Sequence, residues 1–314
     1  VNVSGYEIVA VLGRGACGVV CRARDPKMRR EVALKLIPVT GQPEAAERAV
    51  HEACTTGNVI HENVVVIHDH GRADRVGSYA CPLVFIIMEL VRGERLSDWV
   101  RRRRPGAADI VDMMLKAGRG LEAAHAAGVV HLDFKPENVV VDSQGRPRVV
   151  DFGLARGLAV GAADPGACGT PGYMAPEVLR GRPDACSDQF AFAVTLWELL
   201  AAVRPFEALP DGTLRMGKLQ GIKKIPPPLR DLLGAALQPD PQTRHEDMTE
   251  MLQALAEVQP RLRRRAFWPA LATGAAVVGL GLVGAWQFTS SATETDPAGT
   301  VQAPNCPDLA PFLG

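Results

Sequence analysis

The stretch His131-Leu132-Asp133-Phe134-Lys135-Pro136-Glu137-Asn138, followed by Asp151-Phe152-Gly153, decides the reading of this chain. A carboxylate, an ammonium two positions on and a carboxamide five positions on share one short loop. A second carboxylate follows after two short apolar runs, 139–141 and 148–150, that read as strands. These residue types supply a group to orient a hydroxyl proton (Asp133), a cation for phosphoryl oxygens (Lys135) and two oxygen ligands for a divalent metal (Asn138 and Asp151). Each piece is commonplace alone; the ordered set is not.

Upstream, residues 6–12 (YEIVAVL), 18–24 (GVVCRAR) and 32–38 (VALKLIP) alternate apolar and polar positions and read as strands. Between the first two lies Gly13-Arg14-Gly15-Ala16-Cys17-Gly18, a turn whose glycines let backbone approach phosphates closely. A dinucleotide site would need a helix after this turn, and a strand follows instead. Lys35 sits inside the third strand, where an ammonium requires a negative partner. Glu52, on a helix expected over 43–57, is the preferred partner, with Glu44 and Glu47 as competitors on the same helix. Residues 64–73 and 82–90 read as two further strands, giving a sheet of about five strands with one helix packed on it. After Gly93 the pattern turns helical, over 107–127 and then 187–258, with breaks at Arg204-Pro205 and Pro226-Pro227-Pro228.

Further marks are Gly169-Thr170-Pro171-Gly172-Tyr173-Met174-Ala175-Pro176-Glu177, Ser187-Asp188 opening an apolar helix, and Asp240-Pro241 before Arg244. With them, residues 6–258 resemble a eukaryotic-type serine/threonine protein kinase. The resemblance implies an α+β, two-lobed fold: a small sheet lobe (6–88), a hinge (89–92) and a helical lobe (93–258), with ATP in the crevice. It implies ATP and Mg²⁺ (or Mn²⁺) as cofactors and proteins as substrates. Residue by residue, it puts Gly13, Arg14, Gly15 and Gly18 over the ATP phosphates and Lys35, fixed by Glu52, on the α- and β-phosphates. Val20 and Ala33 face adenine, with Met88 as gatekeeper and Glu89 and Val91 in the hinge. Asp133 accepts or orients the substrate hydroxyl proton, Lys135 stabilises the moving phosphoryl group, and Asn138 and Asp151 hold the metal. It also implies that Thr170 bonds near Asp133 and Lys135, that Glu177 and Arg244 form a buried ion pair, and that Asp188 braces the catalytic loop. A membrane-tethered pseudokinase scaffold is the alternative; it predicts losses at the lysine, base or metal ligands, and Lys35, Asp133, Asn138 and Asp151 are all present.

The chain departs from this family at Leu132, where most members carry an arginine that meets a phosphate on the activation loop. Residues 154–168 (LARGLAVGAADPGAC) contain no serine, threonine or tyrosine. Phosphosite and receptor are missing together, so activity independent of phosphorylation within 154–168 is expected.

Residues 267–288 (FWPALATGAAVVGLGLVGAWQF) carry no charge and, as a helix, would span about 33 Å, enough for a bilayer core. Arg261, Arg263, Arg264 and Arg265 precede this segment, and the 289–314 tail has no lysine or arginine. A basic juxtamembrane segment (259–266), a single transmembrane helix (267–288) and a short extracytoplasmic tail (289–314) are therefore expected. The positive-inside rule puts the kinase domain in the cytoplasm, on the inner (plasma) membrane. This arrangement resembles bacterial receptor kinases, with a role in signalling. Small residues at a spacing of four (Ala275/Gly279, Gly281/Ala285) match helix-pairing faces and suggest a homodimer. Lysine plus arginine equal aspartate plus glutamate at 35 each, which gives no reason to expect a nucleic-acid partner. Seven cysteines without a CxxC pair disfavour a zinc site or a disulfide framework. The chain opens at Val1 without a secretory signal.

Overall fold

A computed structural model describes residues 1–15, 18–39, 50, 55–76, 79–152, 169–209, 213–215 and 219–273. Six strands form one antiparallel sheet: β1 (Asn2–Val3), β2 (Tyr6–Gly15), β3 (Gly18–Asp25), β4 (Arg30–Pro38), β5 (Ile67–Val76) and β6 (Tyr79–Glu89), in the order β1-β2-β3-β4-β6-β5. The five expected strands are present; β1, only two residues long, is too short to leave a pattern in the sequence. Strand alternation sorts the side chains. Cys21, Leu34, Leu36 and Ile87 fill an apolar cluster on one face. Ala33, Ile37, Ile86 and Met88 join the main core on the other. Lys35 lies between Ala33 and Ile37 on that second face, across from Val20 and Ile86. Of the helix expected over 43–57, positions 50 and 55–57 are helical. Glu44, Glu47 and Glu52 lie outside the described residues.

A three-stranded sheet, β7 (Gly93–Arg95), β8 (Val139–Asp142) and β9 (Pro147–Val149), carries the loop that holds Asp133. The helices that follow the hinge are α1 (Leu96–Arg103), α2 (Ala107–Ala126), α3 (Pro176–Leu179), α4 (Ala185–Ala201), α5 (Pro227–Ala236) and α6 (Met248–Thr273). A two-stranded ribbon, β10 (Glu207–Ala208) and β11 (Leu214–Arg215), follows α4. The triple proline begins α5 rather than only ending what precedes it, with Pro227 in the first turn, where no backbone donor is needed. Asp184 and Ser187 form a reciprocal capping box that starts α4. Helix α2 is central. A methyl group on Gly118 would lie 2.4 Å from Leu252 of α6, and one on Gly120 would lie 2.9 Å from the Asn63 carbonyl. Both close approaches need glycine.

The sheet is fastened to the helical region through residues 63–65. Val65 N–H donates to Val149 O at 2.9 Å, Val149 N–H donates to Asn63 O at 2.8 Å, and the Asn63 amide donates to Pro147 O at 2.8 Å. Arg148 adds Val64 O at 3.0 Å and the Glu89 carboxylate at 2.5 and 3.2 Å. The expected boundary at 258 falls inside α6, which continues unbroken to Thr273 with Val258 and Leu262 still buried. Residues 259–263 thus continue a packed helix, whose backbone runs on through 266. No helix among the described residues is long and apolar enough to cross a membrane. Most of the expected span (274–288) and the tail (289–314) lie outside the described residues.

Two buried polar networks brace the helical region, and the first positions the loop around Asp133. Asp188, fully buried, accepts from the backbone N–H of His131 at 2.7 Å and of Leu132 at 2.8 Å, and bonds His125 Nε2 at 2.8 Å. It thereby holds Leu132 at φ +63°, a left-handed conformation that costs a side-chain-bearing residue about 1 kcal/mol or more. His131 accepts from Asp133 N–H through Nδ1 at 3.2 Å and donates from Nε2 to Val150 O at 3.0 Å. In the second network, Arg244 donates to both Glu177 oxygens at 2.7 and 2.9 Å, to Cys186 O at 2.8 Å and to Gln238 O at 2.9 Å. Its guanidinium lies over the Phe190 ring, 5.1 Å from the centroid. The side chains of Arg244 and Glu177 are 0% and 7% exposed, so removing either strands the other in the interior.

Arg244→Met or Glu177→Gln is therefore expected to cost about 3–5 kcal/mol in urea unfolding. A loss under 1 kcal/mol from both would show that the pair is dispensable. Burial pushes the His131 imidazole below its usual value against the opposing pull of Asp188 and Asp133. The unfolded chain then takes up the proton first, near pH 6.5, and native stability falls as pH drops below that value. The slope contributed is at most about 1.4 kcal/mol per pH unit. His131→Gln should be flatter than wild type between pH 6.5 and 5 in thermal unfolding; an identical slope would rule out His131 as its source.

Candidate active site

The sheet and the loop bring two charged clusters together. In the first, Lys35 Nζ donates to Asp151 Oδ1 at 3.2 Å across 116 positions of sequence. The lysine side chain is 10% exposed and the aspartate 32%, so the ammonium sits in the wall and the carboxylate faces the opening. Burial alone would raise the Asp151 carboxyl. The charge and hydrogen bond of Lys35, with smaller help from His131 and Lys135, bring it below the ordinary carboxylate value. Asp151 is held at φ +59°. The preceding Val150 is fastened by its N–H to Asn138 O at 2.9 Å and by its carbonyl to His131.

In the second cluster, Lys135 Nζ donates to Asp133 Oδ2 at 2.7 Å and also contacts the Thr170 hydroxyl. Thr170 Oγ1 donates to Asp133 Oδ1 at 2.8 Å. Asn138 spends its amide N–H groups on Asp133, at 2.8 Å to the backbone carbonyl and 3.0 Å to Oδ2. That leaves Asn138 Oδ1 unengaged by any described residue. That oxygen and the Asp151 carboxylate are hard donors of the kind Mg²⁺ takes, and would hold it. The donor chemistry fits the metal. Phe134 and Phe152 are buried beneath the loop, with the Phe152 ring 4.7 Å from that of His131.

The apolar part of the cleft comes from the sheet. Ala33 and Met88 are buried, directly paired across β4 and β6, and Val20, Leu90 and Val91 pack against the same core. The Val91 N–H has no backbone acceptor among the described residues. Glu89 differs from the expectation in one respect: its carboxylate is engaged by Arg148, and its N–H donates to Val66 O at 2.8 Å. At the glycine-rich turn, Gly18 has φ +129°, and a Cβ there would lie 2.1 Å from Leu36 O, so no side chain fits. Gly13, Arg14 and Gly15 end β2, and Ala16 and Cys17 lie outside the described residues. So do Glu52, Gly153 and the 154–168 loop. Lys35 therefore meets Asp151, while its expected pairing with Glu52 is not described.

The residues that sequence reading missed are supports. Arg148 joins Glu89 to Val64, and His131 ties Asp133 to Val150. Neither carries a spacing signal, because each acts through backbone carbonyls or across distant strands.

Comparison with known proteins agrees with this geometry. The protein kinase domain family matches residues 6–266. The chain is 32% identical over 274 residues to the serine/threonine-protein kinase PknA of Mycobacterium tuberculosis, covering 82% of this chain and 62% of that protein. It is 32% identical over 269 residues to PknA of Corynebacterium glutamicum, covering 81% and 56% respectively. It is 28% identical over 269 residues to a probable serine/threonine-protein kinase of Clostridium perfringens, covering 81% and 38%. The chain thus spans at most about three fifths of the length of these curated relatives. On the family match and the convergence of its charged clusters, this chain belongs to the protein kinase domain family.

Proposed function

We propose that this chain is an ATP-dependent protein serine/threonine kinase tethered to a membrane by residues 267–288. The observation that carries the activity is the convergence of Lys35–Asp151 and Lys135–Asp133–Asn138–Thr170 beside one apolar slot. The names of the relatives support serine and threonine as acceptors. In this reading adenine lies against Val20, Ala33 and Met88 and bonds the backbone at Glu89 and Val91. The backbone of Gly13, Arg14, Gly15 and Gly18 covers the phosphates, and Lys35 holds the α- and β-phosphates.

Asp133, free to accept once Thr170 and Lys135 have fixed its orientation, orients the acceptor hydroxyl and takes up its proton as the new O–P bond forms. The bond from the γ-phosphorus to its bridging oxygen breaks, and ADP leaves. Lys135 neutralises charge on the phosphoryl oxygens in flight. Asn138 Oδ1 and the Asp151 carboxylate would hold Mg²⁺, which when bound supplies positive charge to the phosphates. The pseudokinase alternative predicts a damaged set at these positions, and the set is intact.

Activation is proposed to be independent of phosphate within 154–168, since that stretch has no hydroxyl and Leu132 replaces the arginine that would read one. Thr170 is a poor substitute site. Its hydroxyl donates to Asp133, and a phosphate there would set like charges together. The membrane tether rests on the uncharged run 267–288 and on the helix α6 that leads into it. The cytoplasmic placement of the kinase region rests on the arginines before that run.

Asp133→Asn is expected to lower Mg²⁺-dependent transfer of ³²P from ATP to a generic protein substrate by roughly 10²–10⁴-fold, with the melting temperature little changed. Lys35→Met should have an effect of similar size. Near wild-type turnover in Asp133→Asn would remove it from the mechanism, and no turnover in the wild type would favour the scaffold. Active protein treated with phosphatase should keep its rate, with mass spectrometry finding no required phosphate at Thr170. A rate that collapses on dephosphorylation of Thr170 would refute loop independence.

A further inference from the structure

Two runs of arginine far apart in sequence lie at the same end of the helical region. Residues 101–104 are four consecutive arginines at the end of α1, all exposed. Arg101 and Arg102 pair with Asp98 and Glu94, whereas Arg103 and Arg104 have no ion pair among the described residues. Arg104 is the left-handed C-cap of α1, and α2 begins three residues later at Ala107. The second run, Arg261, Arg263, Arg264 and Arg265, lies in α6; Arg261 and Arg263 are exposed.

Helices α2 and α6 are antiparallel neighbours, which fixes where these runs lie. Gly118 meets Leu252, whereas Asp112, nearer the start of α2, accepts from Gln259 at 3.1 Å and faces Arg263 at 3.9 Å. From Asp112 to Ala107 is about 7.5 Å along the helix axis. The start of α2, with the 101–104 run immediately before it, therefore lies beside the 261–265 stretch. Among the described residues, this end of α2 carries two carboxylates: Asp112, already shared with Lys116 and Gln259, and Asp109 in the first turn. This is also the end of the molecule from which α6 runs on, as continuous helix, into the uncharged sequence 267–288.

We propose that Arg101, Arg103, Arg104, Arg261 and Arg263 form a basic collar that docks on the anionic phospholipid headgroups of the membrane carrying this chain's own apolar segment. The inference rests on the proposed membrane tether. Concentrated, weakly compensated positive charge at the point of entry fits an anionic headgroup layer, whose potential decays within about 10 Å of the surface. An acidic protein would satisfy the charge but not the position. With the collar seated, the kinase region is held against the membrane by two elements rather than one, so it does not swing freely about a single anchor.

The test reconstitutes the full chain in vesicles of phosphatidylcholine, alone or mixed with phosphatidylglycerol. Flotation and the rate of tryptic cleavage after Arg101–Arg103 are read, with the exposed Arg180 as an internal reference. Flotation with both compositions supports the tether. Cleavage in the 101–103 run slowed about fivefold or more by phosphatidylglycerol, with Arg180 unaffected, supports the collar; that is the factor one headgroup-bound arginine contributes. The protection should be lost at high salt and in Arg261→Gln/Arg263→Gln, which leaves the cleavage sites intact. Flotation only with phosphatidylglycerol, abolished by the same variant, would keep the collar and reject the tether. Equal cleavage in both vesicles, or equal protection by inorganic phosphate in neutral vesicles, would overturn the collar while leaving the tether standing. Flotation with neither composition would overturn both.

Discussion

The site depends on one electrostatic constraint: the ammonium of Lys35 sits in the wall of an apolar sheet and must be answered by negative charge. Its neighbours across the sheet, Val20 and Ile86, offer none. Asp151 supplies it from the far end of the 139–150 hairpin. That contact is one of those that tie the sheet to the strands that carry the Asp133 loop, and it keeps the Asp151 carboxylate charged by offsetting its burial. A charged carboxylate there is what a phosphate-bound metal requires. The same pair thus serves attachment between the two regions and preparation of the site.

Much of this was legible in sequence because the chemistry is local. Asp133, Lys135 and Asn138 fall within six positions, and backbone connectivity alone brings them near one another. Thr170, Glu177, Asp188 and Arg244 were expected to act as supports through family resemblance, and their hydrogen bonds follow that expectation. Contacts that run through backbone carbonyls were not legible. Arg148 reaches Val64 O, and His131 reaches Val150 O; any residue supplies a carbonyl, so no pairing of residue types marks such a bond. The two-residue strand β1 was missed because two positions cannot display alternation. Sequence shows the arginines of 261–265 as a change in composition, while the helix and its buried Val258 and Leu262 continue through.

Leu132 illustrates how a departure from the family can leave local geometry unchanged. The residue adopts a left-handed backbone whose cost does not depend on whether its side chain is charged. Two backbone donors, from His131 and Leu132, converge on the two oxygens of one buried carboxylate. Asp188 therefore sets the loop from the helical side and requires nothing of the Leu132 side chain, which is free to pack against the core. The position can lose its arginine without loss of loop shape. What the position gives up is a cation that could bind a phosphate, and the 154–168 stretch has no hydroxyl to carry one.

Helix α6 extends the same logic beyond the site. Gly118 admits Leu252, and Asp112 gathers Gln259, Lys116 and Arg263, so the helix is held from Leu252 to Arg263 by the element that forms the centre of the helical region. A flexible linker would let a membrane segment move independently of the core. An unbroken helix cannot bend sharply without proline, glycine or a lost hydrogen bond. Pro260 and Pro269 both lie within its helical span, and the helix passes through them. Each removes one backbone donor, so bending of α6 is confined to the turns before these two positions. Orientation of the core relative to whatever holds the end of α6 is then set at two points, one on each side of the arginines.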